Sequence, residues 1–213
     1  FADAPSGPSG KRREVAAYRY RDEGGKLLFE VVRFEPKGFG QRRPVSDGGR
    51  AYGLSAGRSV RGRHGDWIRY QPDLDRGGGE TRELPEARRV LYRLPELLAA
   101  IGRGEAVYVV EGEKDADALA GLGLAATCNP QGAGKWRTEF SDSLRGARVR
   151  IVPDRDRPGE EHAAAVAASL SGVAAEVMVV RVPEGKDASE FLEVRRAAGL
   201  GPDALRAEFA GLP

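Results

Sequence analysis

The rhythm of apolar and polar positions changes near the middle of the chain. Before Gly104 the apolar runs are short and interleaved with charge. Glu14 to Tyr20 and Leu27 to Glu35 read as β-strands. Asp22-Glu23-Gly24-Gly25 lies between them, so a hairpin is expected. Residues 36–66 are full of glycine and arginine and read as loops with one short strand near Arg42. Trp67 to Tyr70 reads as a further strand, and Asp75 to Glu83 as a polar connection. Leu94 to Ile101 reads as a short helix with Pro95 in its first turn, where the missing N–H costs nothing.

After Gly104 the pattern becomes regular. Ala106 to Val110 is a β-branched apolar run without alternation, as suits a strand buried on both faces. Lys114 to Leu122 reads as a helix stopped by Gly123. Leu124 to Cys128 reads as a second strand, Trp136 to Leu144 as a helix, and Arg148 to Val152 as a third strand. Gly159 to Leu170 is an alanine-rich helix, Ala174 to Val182 a fourth strand, and Asp187 to Ala197 and Asp203 to Phe209 are terminal helices. Strands alternating with helices imply a parallel sheet. In such a sheet the carboxyl ends of all strands share one edge, where ligands bind. Glu111 follows the first of these strands, Asp154 and Asp156 the third, and Asp187 the fourth. Two carboxylates about 4 Å apart repel by roughly 4 kcal/mol at an effective dielectric of about 20, so a cation is expected among them. Oxygen ligands with open positions suit magnesium, which stabilises attacking and leaving oxygens in phosphoryl chemistry.

Composition narrows the classes. At 213 residues, 40% hydrophobic and 31% charged, the chain has length enough for a real core in one or two domains. No apolar run approaches the ~20 residues of a bilayer span, so no membrane role is expected. Cys128 is the only cysteine, which excludes an intrachain disulfide and a zinc site built from several cysteines. The opening residues Phe1-Ala2-Asp3-Ala4-Pro5 lack the basic-then-apolar order of a signal peptide and lack an initiator Met. A cytoplasmic fragment or processed product is therefore expected. Residues 1–13 are rich in Pro, Ser and Gly and read as a disordered linker. The net charge of +2 is unremarkable, but residues 36–69 carry Lys37, Arg42, Arg43, Arg50, Arg58, Arg61, Arg63 and Arg69 against Asp47 and Asp66. Such a stretch reads either as a phosphate footprint or as an ordinary solvated surface.

Glu111-Gly112 after one apolar strand, followed by Asp154-Arg155-Asp156-Arg157-Pro158-Gly159 after another, resembles the Toprim domain of primases, topoisomerases and some nucleases. Asn129-Pro130-Gln131-Gly132-Ala133-Gly134-Lys135 resembles the glycine loop after the second Toprim strand. Upstream, Arg88-Arg89-Val90-Leu91-Tyr92-Arg93-Leu94-Pro95-Glu96 is similar to the segment before Toprim in phage- and plasmid-type primases and primase-helicases. So is the hairpin with Val32-Arg33-Phe34 and Gln41-Arg42-Arg43-Pro44. The resemblance implies an α/β fold: a Toprim-type, Rossmann-like parallel sheet flanked by helices, preceded by a smaller β-rich basic subdomain. The expected division is a linker at 1–13, the basic subdomain at 14–104, Toprim at 105–195 and a helical tail at 196–213.

The resemblance also implies roles. Glu111 would act as general base or metal ligand. Asp154 and Asp156 would hold magnesium, with manganese as an alternative. Asp115 matches an acidic position one turn after the glutamate, and Lys186-Asp187 a late acidic motif. Ser189 stands where bacterial primases tend to carry a second aspartate, a departure that counts against a full two-metal site. Arg42, Arg43, Lys114, Lys135 and Lys186 are the candidate contacts to nucleic acid or nucleotide. The implied activity is magnesium-dependent primer synthesis by a nucleotidyltransferase of the DNA primase type, a fragment of a larger primase or primase-helicase. Its partners would be a single-stranded DNA template, nucleoside triphosphates and a replicative helicase in cis or trans, in the cytoplasm of a bacterial or phage-infected cell. A Toprim nuclease would use the same carboxylates to activate water, and a non-catalytic module would keep the fold and bind nucleic acid. Topoisomerase-type strand transfer needs a nucleophilic tyrosine that no segment here supplies.

Simpler readings stand beside several of these residues. Asp115 lies in a helix first turn, where an acid is favourable for dipole reasons alone. Asp187 with Glu190 fits a capping box. Gly132-Ala133-Gly134-Lys135 lacks the glycine spacing and Ser/Thr of a P-loop, although Lys135 retains reach to a phosphate. His64 and His162 read as surface residues, Cys128 as a buried strand residue and Trp136 as packing. Trp67 reads as packing rather than as a base-stacking platform.

Overall fold

The computed structural model describes residues 13–46, 48–61, 66–69 and 81–213. The chain divides into two compact units, Phe1–Arg89 and Val90–Pro213. The expected linker at 1–13 lies outside the described residues except for Arg13.

Among the described residues, the first unit forms a seven-stranded, mostly antiparallel sheet. Its strands are β1 (Arg13–Arg21), β2 (Leu27–Glu35), β3 (Gly38–Pro44), β4 (Arg50–Tyr52), β5 (Gly57–Arg61), β6 (Trp67–Arg69) and β7 (Thr81–Leu84), in spatial order β1-β2-β3-β4-β6-β5-β7. The β1–β2 hairpin forms as expected. Asp22 accepts from the backbone N–H groups of Gly24 and Lys26 at 3.1 and 2.9 Å, an Asx-type turn, and Gly25 supplies the positive φ of 83°. Tyr20 and Phe29 stack across it with ring centroids 4.4 Å apart. The stretch read as loops at 36–66 contains β3, β4 and β5. A small core of Ala51, Trp67 and Leu84 holds the short strands, so Trp67 packs inward. Each of these strands carries too few apolar residues to declare itself. Pairing with its neighbours supplies the order.

The second unit holds a four-stranded parallel sheet of β8 (Ala106–Val109), β9 (Ala125–Thr127), β10 (Arg148–Ile151) and β11 (Glu176–Val179), in order β11-β10-β8-β9. The helices are α1 (Leu94–Gly102), α2 (Glu113–Ala120), α3 (Thr138–Asp142), α4 (Arg157–Leu170), α5 (Ala188–Ala197) and α6 (Pro202–Ala210). Val107, Val109, Val149 and Ile151 are buried in the two central strands. α1 packs on β8 and β9, so the chain divides ahead of this helix rather than behind it. α6 is no loose tail: Phe209 is buried, with its ring 5.6 Å from Tyr108 and 5.9 Å from Phe191. Among the described residues, no helix is long and apolar enough to cross a membrane.

Candidate active site

β8 and β10 are neighbours in register, Val109 opposite Ile151, and the Val152 N–H continues the ladder to the Val109 carbonyl at 2.8 Å. Glu111 and Asp154 therefore leave the sheet side by side at its carboxyl edge. Asp156 caps α4 by accepting from the Gly159 N–H at 2.9 Å. Gly159 is required here: a Cβ on it would lie 2.5 Å from the Asp154 carbonyl oxygen, so the helix start sits directly against the aspartate backbone.

The loop after β11 closes onto the same place. The Arg155 N–H donates to the Lys186 carbonyl at 2.7 Å, and the Arg155 guanidinium donates to the carbonyls of Pro183 and Gly185 at 3.3 and 3.2 Å. Asp187 caps α5 by accepting from the Glu190 N–H at 2.8 Å, and the Glu190 carboxylate accepts from the Lys186 N–H. The spacing suggested a capping box; Asp187 makes its half of it, while Glu190 reaches one residue further back, to the Lys186 N–H. Asp115, on α2, is buried and accepts from the Ser189 N–H at 2.8 Å. The residue that departs from the bacterial pattern thus serves the site through its backbone.

The charges report their mutual proximity. Burial, then Asp154 and Asp156, push the Glu111 carboxyl up to about 7. Burial is also the main cause raising Asp115 to about 6, with the Ser189 bond opposing it and Asp187 and Asp154 adding to it. Asp154 is raised by burial against the pull of Lys186. The Lys186 ammonium lies 3.2 Å from Asp154 and 3.7 Å from Asp156. One Glu111 carboxylate oxygen is buried without a hydrogen-bond partner among the described residues.

The cationic candidates fare differently. Arg42 is buried, its guanidinium donating to Glu30 at 2.7 Å and to Glu14 at 2.8 and 3.1 Å. Burial would lower it, and the bonds from Glu14 and Glu30 more than reverse that, so it sits above its ordinary value. Arg43 is buried too and donates to the carbonyls of Leu54, Pro85 and Ser55. Both are buried and bonded within the first unit. Lys114 forms an exposed pair with Glu193 at 3.1 Å, and Lys135 is exposed.

Sequence reasoning missed Arg155, the stitch between two loops, and misplaced His162. That histidine is buried on α4, accepts from the Gly134 N–H at 3.2 Å through Nδ1, and meets the edge of Trp136. Burial pulls its imidazole down. The glycine loop is thereby pinned to α4, with Asn129 donating to the Gly132 carbonyl at 2.8 Å. A histidine five positions into an alanine-rich helix, on its buried face, was the available signal.

Among the described residues, no three His, Cys, Asp or Glu side chains stand close enough together to cage a metal ion. Magnesium does not require a cage. It binds through one or two carboxylates and keeps several waters. An all-oxygen donor set in which Asp154 and Asp156 raise Glu111, with one orphaned oxygen on Glu111, fits that demand.

A parallel sheet with this order, with Glu111 and Asp154-Asp156 at its strand ends and a mostly antiparallel sheet ahead of it in the chain, has the fold of DNA primase catalytic cores. The chain is 30% identical over 139 residues to the Gene 57 protein of Mycobacterium phage D29, a match covering 65% of this chain and 82% of that protein. It belongs to that protein's family. It is also 30% identical over 138 residues to the DNA primase of Chlamydia muridarum (strain MoPn / Nigg), covering 61% of this chain and 22% of that one. Among solved structures, the Aquifex aeolicus primase (zinc binding and RNA polymerase domains) superposes with a TM-score of 0.57 at 20% identity, over 99% of this chain and 44% of that one. A DnaG primase catalytic domain bound to single-stranded DNA gives 0.53 at 19% identity, over 92% and 51%. These two structures establish the fold, and the chain spans about half of each. No protein-family model matches the chain.

Proposed function

We propose that this chain is the catalytic piece of a primase-like replication protein, joining nucleotides into short primers on single-stranded DNA. The observation that carries the reading is the convergence of Glu111, Asp154 and Asp156 at one sheet edge, where each raises or is raised by its neighbours. In this reading magnesium would be held by one or two of Glu111, Asp154 and Asp156, with water filling its other positions, and would supply charge stabilisation at the phosphorus under attack. Where Glu111 is not itself a ligand, it would instead accept the proton of the primer 3′-hydroxyl. Asp115 fixes the start of α5 through the Ser189 N–H and so keeps Asp187 at the edge. Lys135 and Lys186 face incoming phosphate, with Lys114 at the rim. A helicase, in cis or in trans, would present the template.

The test is incubation with single-stranded DNA, labelled ribo- and deoxyribonucleotides and magnesium, beside Glu111→Gln. Short template-dependent products from the parent alone support the proposal. Degradation of the template by the parent alone would replace it with a Toprim nuclease. Binding that survives both the substitution and magnesium removal, with no chemistry, would replace it with a non-catalytic module.

A further inference from the structure

Lys186 is an unusual surface lysine. Its side chain is more than half exposed, yet its ammonium bridges two carboxylates at 3.2 and 3.7 Å. Its backbone is fixed on both sides, the N–H on Glu190 and the carbonyl on the Arg155 N–H. Gly185 just before it has a φ of 76° and packs so closely that a Cβ would lie 2.8 Å from the Phe191 nitrogen. The root of this side chain is therefore held still, and a flexible four-carbon stem carries its charge into the acidic edge. Asp154 and Asp156 are the residues proposed to hold a divalent cation. A monovalent cation on a tether already stands against them.

Resting on the proposed metal-binding role of that edge, we propose that Lys186 is a built-in counter-cation, displaced from Asp154 and Asp156 by magnesium and thereby released toward the phosphates of a nucleoside triphosphate. Folding without metal would otherwise leave Asp154 and Asp156, beside Glu111, with no cationic group in contact among the described residues. The tether supplies one. A divalent ion outcompetes it because double charge and direct oxygen coordination exceed what a hydrated ammonium offers. The freed ammonium stays within a stem's length of the site, so its charge passes to an incoming anion rather than into bulk water. The same residue lowers affinity for the metal and raises affinity for the triphosphate.

That pairing of opposite signs is what the experiment reads. Magnesium chloride alone is titrated calorimetrically into the parent and Lys186→Met, and a non-hydrolysable GTP analogue is then titrated into each at saturating magnesium. Lys186→Met is expected to bind magnesium about threefold to fivefold more tightly, the scale of an exposed ion pair. It is expected to bind the analogue more weakly by a similar factor. Without metal its melting temperature falls below that of the parent, and magnesium narrows the gap. Unchanged or weaker magnesium binding by the variant overturns the competition. Tighter magnesium with unchanged analogue binding overturns the release toward phosphate. Tighter magnesium in a chain that makes no primers keeps the role of Lys186 and sinks the primase reading. Magnesium binding by neither protein sinks both.

Discussion

The two units use buried charge in opposite ways. In the first sheet, Arg42 closes on Glu30 and Glu14, and Arg43 meets three carbonyls through its terminal nitrogens, its Nε having no hydrogen-bond partner among the described residues. At the edge of the second sheet, carboxylates gather with a single lysine against two of them, and one Glu111 oxygen has no hydrogen-bond partner among the described residues. A satisfied buried charge is a structural element, whereas a set of like charges held together against repulsion keeps capacity for a ligand.

The contrast breaks most visibly at Arg42. Arg42→Ala leaves the buried Glu30 carboxylate with the longer 3.4 Å bond to Arg19 and should cost roughly 3 kcal/mol of stability, the lower end for broken buried pairs. Urea denaturation checks it, and an unchanged midpoint with reduced DNA affinity would return Arg42 to the phosphate footprint. Next in size is Glu111→Gln, expected to lower primer synthesis by about 100-fold or more while the fold persists. Circular dichroism beside the primer assay separates the two effects.

The same substitution sharpens the contrast through pH. Glu111 is raised to about 7, so the folded protein holds its proton more tightly than the unfolded chain does. Its contribution to stability is full below pH 4.5 and is lost as pH rises through 7. Glutamine has no such loss. Metal-free Glu111→Gln should therefore melt a few degrees above the parent at pH 8, on the scale of ~1 kcal/mol, and the gain should vanish toward pH 4.5. The smallest expected effect lies at Asp187. Asp187→Ala removes the α5 cap at a cost of about 1 kcal/mol, whereas Asp187→Asn, which can also cap, should cost only a few tenths. Loss of magnesium affinity in the asparagine variant without a matching loss of stability would make Asp187 a ligand as well as a cap.

Much of the second unit was legible in the sequence because its signals are local. A run such as Ala106 to Val110 is apolar throughout, and a carboxylate just past its end can only fall at the sheet edge. The first unit was harder to read. β4, β5 and β7 are held by cross-strand pairing more than by their own composition. The partners of Arg42 lie 12 and 28 residues away, so one arginine of the basic cluster is paired in space with carboxylates that the cluster itself does not contain. His162 was misread for a related reason: its partner, the Gly134 N–H, lies 28 residues upstream in the glycine loop.

The link between the Arg155 N–H and the Lys186 carbonyl has one further consequence. Two loops that would otherwise wander independently are joined before any ligand arrives, so their conformational entropy is surrendered during folding and not at the encounter. Ligand association at this edge is then expected to involve little loss of backbone freedom, with rates set by charge and desolvation rather than by a search among loop shapes. Lengthening either loop with glycine should slow association more than it speeds dissociation.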